Sequence, residues 1–442
     1  MTAQIINADV FEGLMQIADH TVSMVVTSPP YYGLRSYNIE PRQWDDGAVC
    51  VLGEEPTVQL YLDHIVQVFR ELKRVLHPSG TFWLNIGYCY AGGGKHIEPS
   101  KYANCEKPVR AKQKRMSGKQ LLMIPARMAL ALQADGWLLR QDIIWAKGVS
   151  FCPSFSGSVM PESTRDRCTW SHEHVFQFAL NARYFYDIDG CREPLAASTM
   201  KQLERPYKGT GTKDYAEAKA QNPSDVKRRI LAGKQAHVGN PTYTGFNERY
   251  RERGQPDGRN LRNVWIIAKQ NFKGSHMATF PEKLIEPIVK LGTSEKGVCP
   301  QCYAPWERKT IREPIPVHIQ AQFEASRVAT VADTGRTDGH THRKPNYRRK
   351  VLGTEWIPLC RCGISETVPG VLLDPFCGSG RAGIVATRLG RSFIGIDASA
   401  EYCHMAERAV LSDLRTVPVS SPKGVLFGQA VDEGELETTG AS

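Results

Sequence analysis

Val371-Leu372-Leu373-Asp374-Pro375-Phe376-Cys377-Gly378-Ser379-Gly380 opens a stretch that continues through a helical pattern, Ala382 to Leu389, and closes on Ser392-Phe393-Ile394-Gly395-Ile396-Asp397. The first apolar run reads as a buried strand that ends in a Gly-rich turn. The second apolar run reads as another strand, closed by an acid. Strand, glycine turn, helix, strand, acid is the βαβ grammar of a nucleoside-cofactor site. Gly378 and Gly380 let backbone approach a ligand closely. Asp397 can accept hydrogen bonds from ribose hydroxyls. The chain has no GxxxxGK, and this turn does not fit Gly-x-Gly-x-x-Gly. A P-loop NTPase is therefore disfavoured, and a nicotinamide-dinucleotide site is weakened.

A second strand end lies near the N-terminus, Val25-Val26-Thr27-Ser28-Pro29-Pro30-Tyr31-Tyr32-Gly33-Leu34. The two prolines stop the strand and hold the chain rigid and extended. What projects is one hydroxyl, bare carbonyl oxygens and an aromatic ring. That shape suits a flat heterocycle with an exocyclic amine, the ring stacking and the oxygens accepting from the NH₂.

Together these segments resemble the DNA amino-methyltransferases that act on cytosine N4 or adenine N6. Ser28-Pro29-Pro30-Tyr31 is similar to the family's catalytic (Ser/Asn/Asp)-Pro-Pro-Tyr, and Asp374 to Gly380 is similar to its cofactor turn. Asn7-Ala8-Asp9 resembles the acidic position beside the cofactor's adenine. His276-Met277-Ala278-Thr279-Phe280-Pro281-Glu282-Lys283-Leu284 resembles the segment closing the methionine end of the pocket. The catalytic segment precedes the cofactor turn, which is the order of the permuted β class.

The resemblance implies a doubly wound, mostly parallel α/β sheet of the Rossmann-like S-adenosylmethionine-dependent methyltransferase type. It implies Ser28, Pro29, Pro30 and Tyr31 as the catalytic segment. Asp9, His276, Thr279, Phe280, Asp374, Phe376, Gly378, Gly380 and Asp397 are implied as the cofactor site. Arg381 departs from the small or hydroxylated residue often found after the second glycine.

An aromatic amine is a poor nucleophile because its lone pair is delocalised into the ring. Acceptors on its N–H groups, here the Ser28 hydroxyl and the Pro29 carbonyl, help localise that pair. In-line approach to the sulfonium methyl supplies much of the rest. The base must first leave the duplex, since its amine is committed to pairing. Tyr31 is expected to stack on it, and Phe376 to sit near the sulfonium charge. Serine at position 28, rather than the stronger acceptor aspartate, tilts the target toward cytosine N4, with adenine N6 as the alternative. A catalytically inactive zinc-containing DNA-binding module is the alternative of another class.

The chain has 442 residues, with Lys+Arg 56 against Asp+Glu 46, a net charge of +10. A basic surplus suits a polyanionic partner such as double-stranded DNA. Positive clusters lie at Lys107–Lys119, Lys227–Lys234, Arg249–Arg262 and Arg343–Lys350. No run of about 18 apolar residues is present, so no membrane span is expected. The N-terminus lacks a secretory pattern, and twelve cysteines in this length do not look like a disulfide framework. The expected location is cytoplasmic and DNA-associated. A companion restriction endonuclease would be the natural partner protein of such an enzyme.

Residues 1–190 read as the catalytic half. Strands are expected at Ile5–Ile6, Val22–Val26, Thr81–Ile86, Trp137–Trp145 and Glu173–Leu180, and helices at Val58–Leu76 and Gln120–Ala134. Residues 91–118 read as a mobile loop. Residues 191–260, rich in Lys, Arg, Gly and Asn, occupy the slot of a target-recognition insertion. Residues 261–298 hold the cofactor-closing segment, 363–412 the cofactor half, and 413–442 a disordered tail. Between them, 299–362 carries Cys299-Pro-Gln-Cys302 and Cys360-Arg-Cys362. Two close cysteine pairs suit four thiolates around one tetrahedral Zn²⁺, structural because no position stays open for water. A small zinc ribbon with a basic arm is expected there, the remainder of 306–358 being irregular.

Overall fold

The computed structural model describes residues 2–34, 39–91, 118–152, 155, 157, 159, 161–194, 259–269, 280–312, 314 and 351–414. The chain divides into two compact units. One comprises Met1–Cys191, Arg262–Glu307 and Ile357–Ser442, the other Arg192–Leu261 and Arg308–Trp356.

In chain order the first unit begins β1 (Ala3–Asn7), α1 (Val10–Met15), β2 (Val22–Thr27), β3 (Arg42–Gln43), β4 (Val49–Cys50), α2 (Val58–Val75) and β5 (Leu76–Ile86). It continues with α3 (Ile124–Ala134), β6 (Leu138–Ala146) and β7 (His172–Ala179). The second unit contains β8 (Arg192–Glu193) and β9 (Arg259–Asn260). The chain then forms β10 (Val264–Ile266) and α4 (Glu282–Gly292), followed by β11 (Trp306–Arg312) and β12 (Val351–Pro358). It closes with β13 (Val371–Asp374), α5 (Arg381–Arg388), β14 (Ser392–Asp397) and α6 (Ala400–Leu414).

Eight strands form one sheet in the order β1-β14-β13-β2-β5-β7-β6-β10. All neighbours are parallel except β7, which runs antiparallel to both β5 and β6. From β13 the chain passes through α5 to β14 on one side. From β2 it passes through α2 to β5 on the other. The order therefore reverses between β13 and β2, and at such a switch point the crevice beyond the strand ends receives ligands. Right-handed crossovers in opposite directions place α5 and α2 on opposite faces. Helices α1 and α3 both pack on α2, and α4 and α6 both pack on α5.

The core explains the elements. β2 is buried along its whole length, as expected of a central parallel strand covered on both faces. Helix α2 starts at Thr57, whose hydroxyl accepts from the Leu60 N–H at 3.2 Å. It buries Leu62, Ile65, Val66, Phe69 and Leu72, and its last turn carries Lys73 and Arg74, which suit the negative end of the helix dipole. Phe82 meets the rings of Phe69, Trp137 and Phe178 at 4.8, 5.2 and 5.6 Å. Truncating such a ring to alanine costs about 3–5 kcal/mol.

Several expectations shift. The helix read as Gln120–Ala134 starts at Ile124, because Met123 adopts a left-handed φ of 54° and Pro125 occupies the first turn. Helix α4 continues through Pro287, which disguises its period. Residues 306–358 are not irregular throughout, since β11 and β12 pair into a two-stranded sheet. There Lys309 pairs with Glu355 at 3.3 Å and Arg308 covers the Trp356 ring at 4.5 Å. Helix α6 reaches Leu414, inside the stretch read as tail. Most of 91–118 and 191–260, with most of the positive clusters, lies outside the described residues. Among those described, no helix is long and apolar enough to cross a membrane.

Candidate active site

The sheet register gathers the sequence-predicted residues at one edge. Asn7 is opposite Asp397, Asp374 is opposite Gly395, and Leu373 is opposite Val25. The carboxyl ends of β1, β14, β13 and β2 thus lie side by side. They carry Asp9, Asp397, the turn Asp374–Gly380 and Ser28–Tyr31 respectively. The last two segments are bonded directly, the Thr27 hydroxyl donating to Asp374 Oδ1 at 2.7 Å. Tyr31 and Phe376 are both half-buried against the same core cluster.

The glycine turn is a built cradle. Gly378 and Gly380 have φ of 49° and 76°, a region costly for residues with a Cβ. A Cβ on Gly380 would come within 2.9 Å of Ala406. The Gly378 N–H donates to Asp397 Oδ2, and the Ser399 N–H to Oδ1, both at 2.9 Å. Burial raises the Asp397 carboxyl while those two donors pull it down. Its remaining lone pairs suit vicinal hydroxyls. The Ser379 hydroxyl is buried and has no hydrogen-bond partner among the described residues, as expected of a cradle whose ligand supplies the partner. The site thus fits a nucleoside cofactor. Asp374 is more deeply enclosed than a ligand contact needs. Its Oδ1 accepts from Thr27 and from the Phe376 N–H at 3.2 Å. Burial pushes it to about 7, against those bonds.

Asp9 caps α1, accepting from the Phe11 N–H at 3.0 Å, and forms an ion pair with Arg42. Phe280 is half-buried, one residue ahead of Pro281, which caps α4. His276 and Thr279 lie outside the described residues. Arg381, anomalous in sequence, has a structural partner. It and Arg388 both pair with Glu282, joining α5 to α4.

On the other side of the crevice, Pro29 is buried while Ser28 and Pro30 are half-buried. The Pro30 carbonyl accepts from Tyr61 Oη at 2.8 Å. Among the described residues no hydrogen bond reaches the Pro29 carbonyl. Gly87 makes room for Tyr31, since a Cβ there would come within 2.9 Å of the ring. Behind the loop, the Gly33 N–H donates to the Gly53 carbonyl at 2.8 Å. Gly53 in turn is held by Glu55, which also meets His64 Nδ1 at 3.0 Å.

Sequence reading missed a polar network at this loop. Tyr31 Oη donates to Glu173 Oε2 at 3.0 Å and lies 3.4 Å from Ser28 Oγ. Asn85 Nδ2 lies 2.9, 3.0 and 3.3 Å from Glu173 Oε2, Tyr31 Oη and Ser28 Oγ. Lys147 pairs with the other oxygen of Glu173. Burial raises the Glu173 carboxyl, but Lys147, Asn85 and Tyr31 outweigh it and leave it below its ordinary value. Burial first, and the Glu173 charge second, push the Tyr31 phenol well above its usual range. One signal was available: Asn85 is a polar residue within the apolar run Phe82–Ile86, where a buried polar side chain needs a partner.

Cys299, Cys302, Cys360 and Cys362 converge, their Sγ atoms all within 4.8 Å of one another. Zn–S bonds of about 2.3 Å in a tetrahedron require S···S separations of roughly 3.8 Å. The four thiols therefore fit one Zn²⁺.

The profile of the DNA methylase family (N6_N4_Mtase) matches residues 22–302 and 364–408. The Type II methyltransferase M.SfiI of Streptomyces fimbriatus is 30% identical over 422 residues, 91% of this chain and 90% of that protein. M.XycI of Xanthomonas campestris pv. cyanopsidis, also a Type II methyltransferase, is 32% identical over 294 residues, 64% and 72% of the two chains. The solved PvuII DNA methyltransferase, described as cytosine-N4-specific, superposes with a TM-score of 0.45 at 14% identity, covering 94% of this chain and 92% of that one. With Ser28–Tyr31 and the Asp374–Gly380 turn on adjoining strand ends and the family profile spanning both, the chain belongs to the DNA methylase family, the N4/N6 amino-methyltransferases.

Proposed function

We propose that this DNA methyltransferase moves a methyl group from S-adenosylmethionine to the exocyclic amine of a base flipped out of duplex DNA, cytosine N4 in preference to adenine N6. The observation that supports this reading is the Thr27–Asp374 bond across the switch point, which joins the residues preceding Ser28–Tyr31 and the glycine turn. When bound, S-adenosylmethionine supplies an electrophilic methyl group on a sulfonium centre. Gly378, Ser379, Gly380 and Asp397 would hold it, with Asp9 toward its adenine and His276, Thr279 and Phe280 toward its methionine end. Ser28 Oγ and the Pro29 carbonyl accept from the amine and localise its lone pair. Tyr31 stacks on the base. Serine is a weaker acceptor than aspartate, which favours the cytosine reading over the adenine one.

The four cysteines are the site of one structural Zn²⁺. Val298 bridges both Pro305 and Val368, so the metal would tie the end of α4 to the approach to β13. Residues 191–260 are proposed as the target-recognition insertion and 299–362 as the zinc segment with its basic arm. The protein would work in the cytoplasm on chromosomal or foreign DNA, beside a companion endonuclease.

Labelled S-adenosylmethionine and unmodified duplex DNA test the reading, with digestion to nucleosides to identify the product. N4-methylcytosine is expected. N6-methyladenine would reverse the base assignment. Tyr31→Ala matching wild type would remove the catalytic loop from the site. Exchanging 191–260 should change the methylated sequence and leave cofactor affinity intact.

A further inference from the structure

We propose that Glu173, paired to Lys147 and bonded to the Tyr31 hydroxyl, is a positioning residue for Ser28. It fixes the direction of the chain Ser28→Tyr31→Glu173, so that Ser28 meets the reacting amine as an acceptor. The proposal rests on the reading of Ser28–Tyr31 as the amine-binding segment.

Hydrogen-bond direction decides the role. A serine hydroxyl has one proton and two acceptor positions, and it can face an amine either way. Facing it as a donor would occupy the nitrogen lone pair that must attack. An ionised carboxylate only accepts. Tyr31 Oη, 3.0 Å from Glu173, must therefore spend its proton on Glu173. Its oxygen is then left to accept, and Ser28 Oγ stands 3.4 Å away as the donor. With its proton committed to Tyr31 and one lone pair taken by Asn85, Ser28 can meet a further partner only through its remaining lone pair. Asn85 reinforces the same direction, because Nδ2 can only donate, and its two N–H groups are shared among Tyr31 Oη, Ser28 Oγ and Glu173 Oε2.

The supporting elements converge from across the sheet. Asn85 is near the carboxyl end of β5 and Glu173 near the start of β7, which enters the same edge because it is antiparallel. Lys147 follows β6 directly. The charged and titratable groups facing Glu173 are Lys147, Lys269 after β10, Tyr31, and His172 on β7 itself. Burial, followed by repulsion from Lys147, lowers Lys269, and burial with His174 and Lys147 lowers His172. Lys147 is therefore the partner that chiefly offsets the burial of Glu173.

The experiment uses the full chain, labelled S-adenosylmethionine and PCR-amplified genomic DNA carrying no modified bases, under single-turnover conditions. Glu173→Gln can donate to Tyr31 Oη and reverse the chain. It should lose roughly 10- to 100-fold in rate at every pH, with cofactor affinity held within about twofold. Lys147→Met leaves the carboxylate buried without its cation. Its rate should approach wild type near pH 9 and fall on the acid side, by up to about tenfold for each step of one in pH, until it levels near the Glu173→Gln rate, a limb absent from wild type. That rescue by base distinguishes positioning from misfolding, since an unfolded chain does not recover with pH. Glu173→Gln transferring methyl at the wild-type rate overturns the proposal. So does a Lys147→Met deficit that is equal at about pH 6 and pH 9. Wild type that binds cofactor yet labels no DNA would instead sink the amine-methylation reading, and this inference with it.

Discussion

Thr27 and Asp374 lie 347 positions apart in the chain, and the hydroxyl of one donates to the carboxyl of the other at 2.7 Å. Each is the last residue of its strand, β2 and β13, and each is followed at once by one of the two segments proposed to meet base and cofactor. The bond locks two loops into one site, and its removal should be felt in both stability and binding.

Thr27→Val keeps the shape of the side chain and deletes the donor. Asp374 would then be a buried acceptor with one fewer partner, at a cost of about 1–3 kcal/mol. Thermal denaturation should show the loss, and calorimetric titration should show weaker cofactor binding. An unchanged melting temperature would mean that the bond contributes nothing net.

Asp374 makes stability depend on pH in a definite direction. Burial raises it in the folded chain to about 7, above its unfolded value. Between the two values the folded state binds more protons than the unfolded state. This group's contribution is therefore complete below about pH 4 and is lost as pH rises toward 7. Asp374→Asn retains an oxygen for Thr27 and Phe376 and cannot ionise. Denaturant unfolding should show the variant gaining on wild type across that window, by on the order of 1.4 kcal/mol for each step of one in pH. A constant difference from acid to neutral pH would refute the assignment.

Gly380→Ala combines two penalties. Its φ of 76° is unfavourable for alanine, and the new Cβ would sit 2.9 Å from Ala406 on α6. A left-handed non-glycine residue alone costs roughly 1–3 kcal/mol. Relief of the clash should push α6 away and flatten the cradle, so cofactor affinity is expected to drop further than stability. Equilibrium binding measured beside a melting curve separates the two effects.

Cys299→Ser should release the metal, about one zinc per chain by elemental analysis, and lower the melting temperature. Metal binding free energy is folding free energy when the ligands meet only in the folded state. Cys299 is buried and Val298 links it to Val368, so the damage should spread toward β13. A metal-free protein that melts and methylates like wild type would rule the site out.

Much of this was legible before any coordinates. The run Val22–Val26 and the spacing of Val58–Leu76 predicted β2 and α2 nearly to the residue, because burial on both faces and a 3.6-residue period leave direct marks. The glycine turn after β13 was legible because positive φ favours glycine. Helix α4 was not, since Pro287 within it reads as a breaker. The start of α3 was misjudged because the left-handed turn at Met123 is set by its surroundings, not by its residue type. Glu173 was read only as a strand residue. Its partners come from three other strand ends, and no local pattern records an antiparallel insertion that turns it toward Tyr31.

The linear order of residues determined which chemistry is present: a rigid Ser28-Pro-Pro-Tyr31 ledge, a glycine cradle before Asp397, and four paired thiols. These depend on side chains and backbone freedoms fixed within a few residues. Tertiary structure alone decided who faces whom. The switch point sets the ledge beside the cradle, and antiparallel β7 delivers a carboxylate to Tyr31, because hydrogen-bond partners across a sheet are chosen by topology and not by distance along the chain.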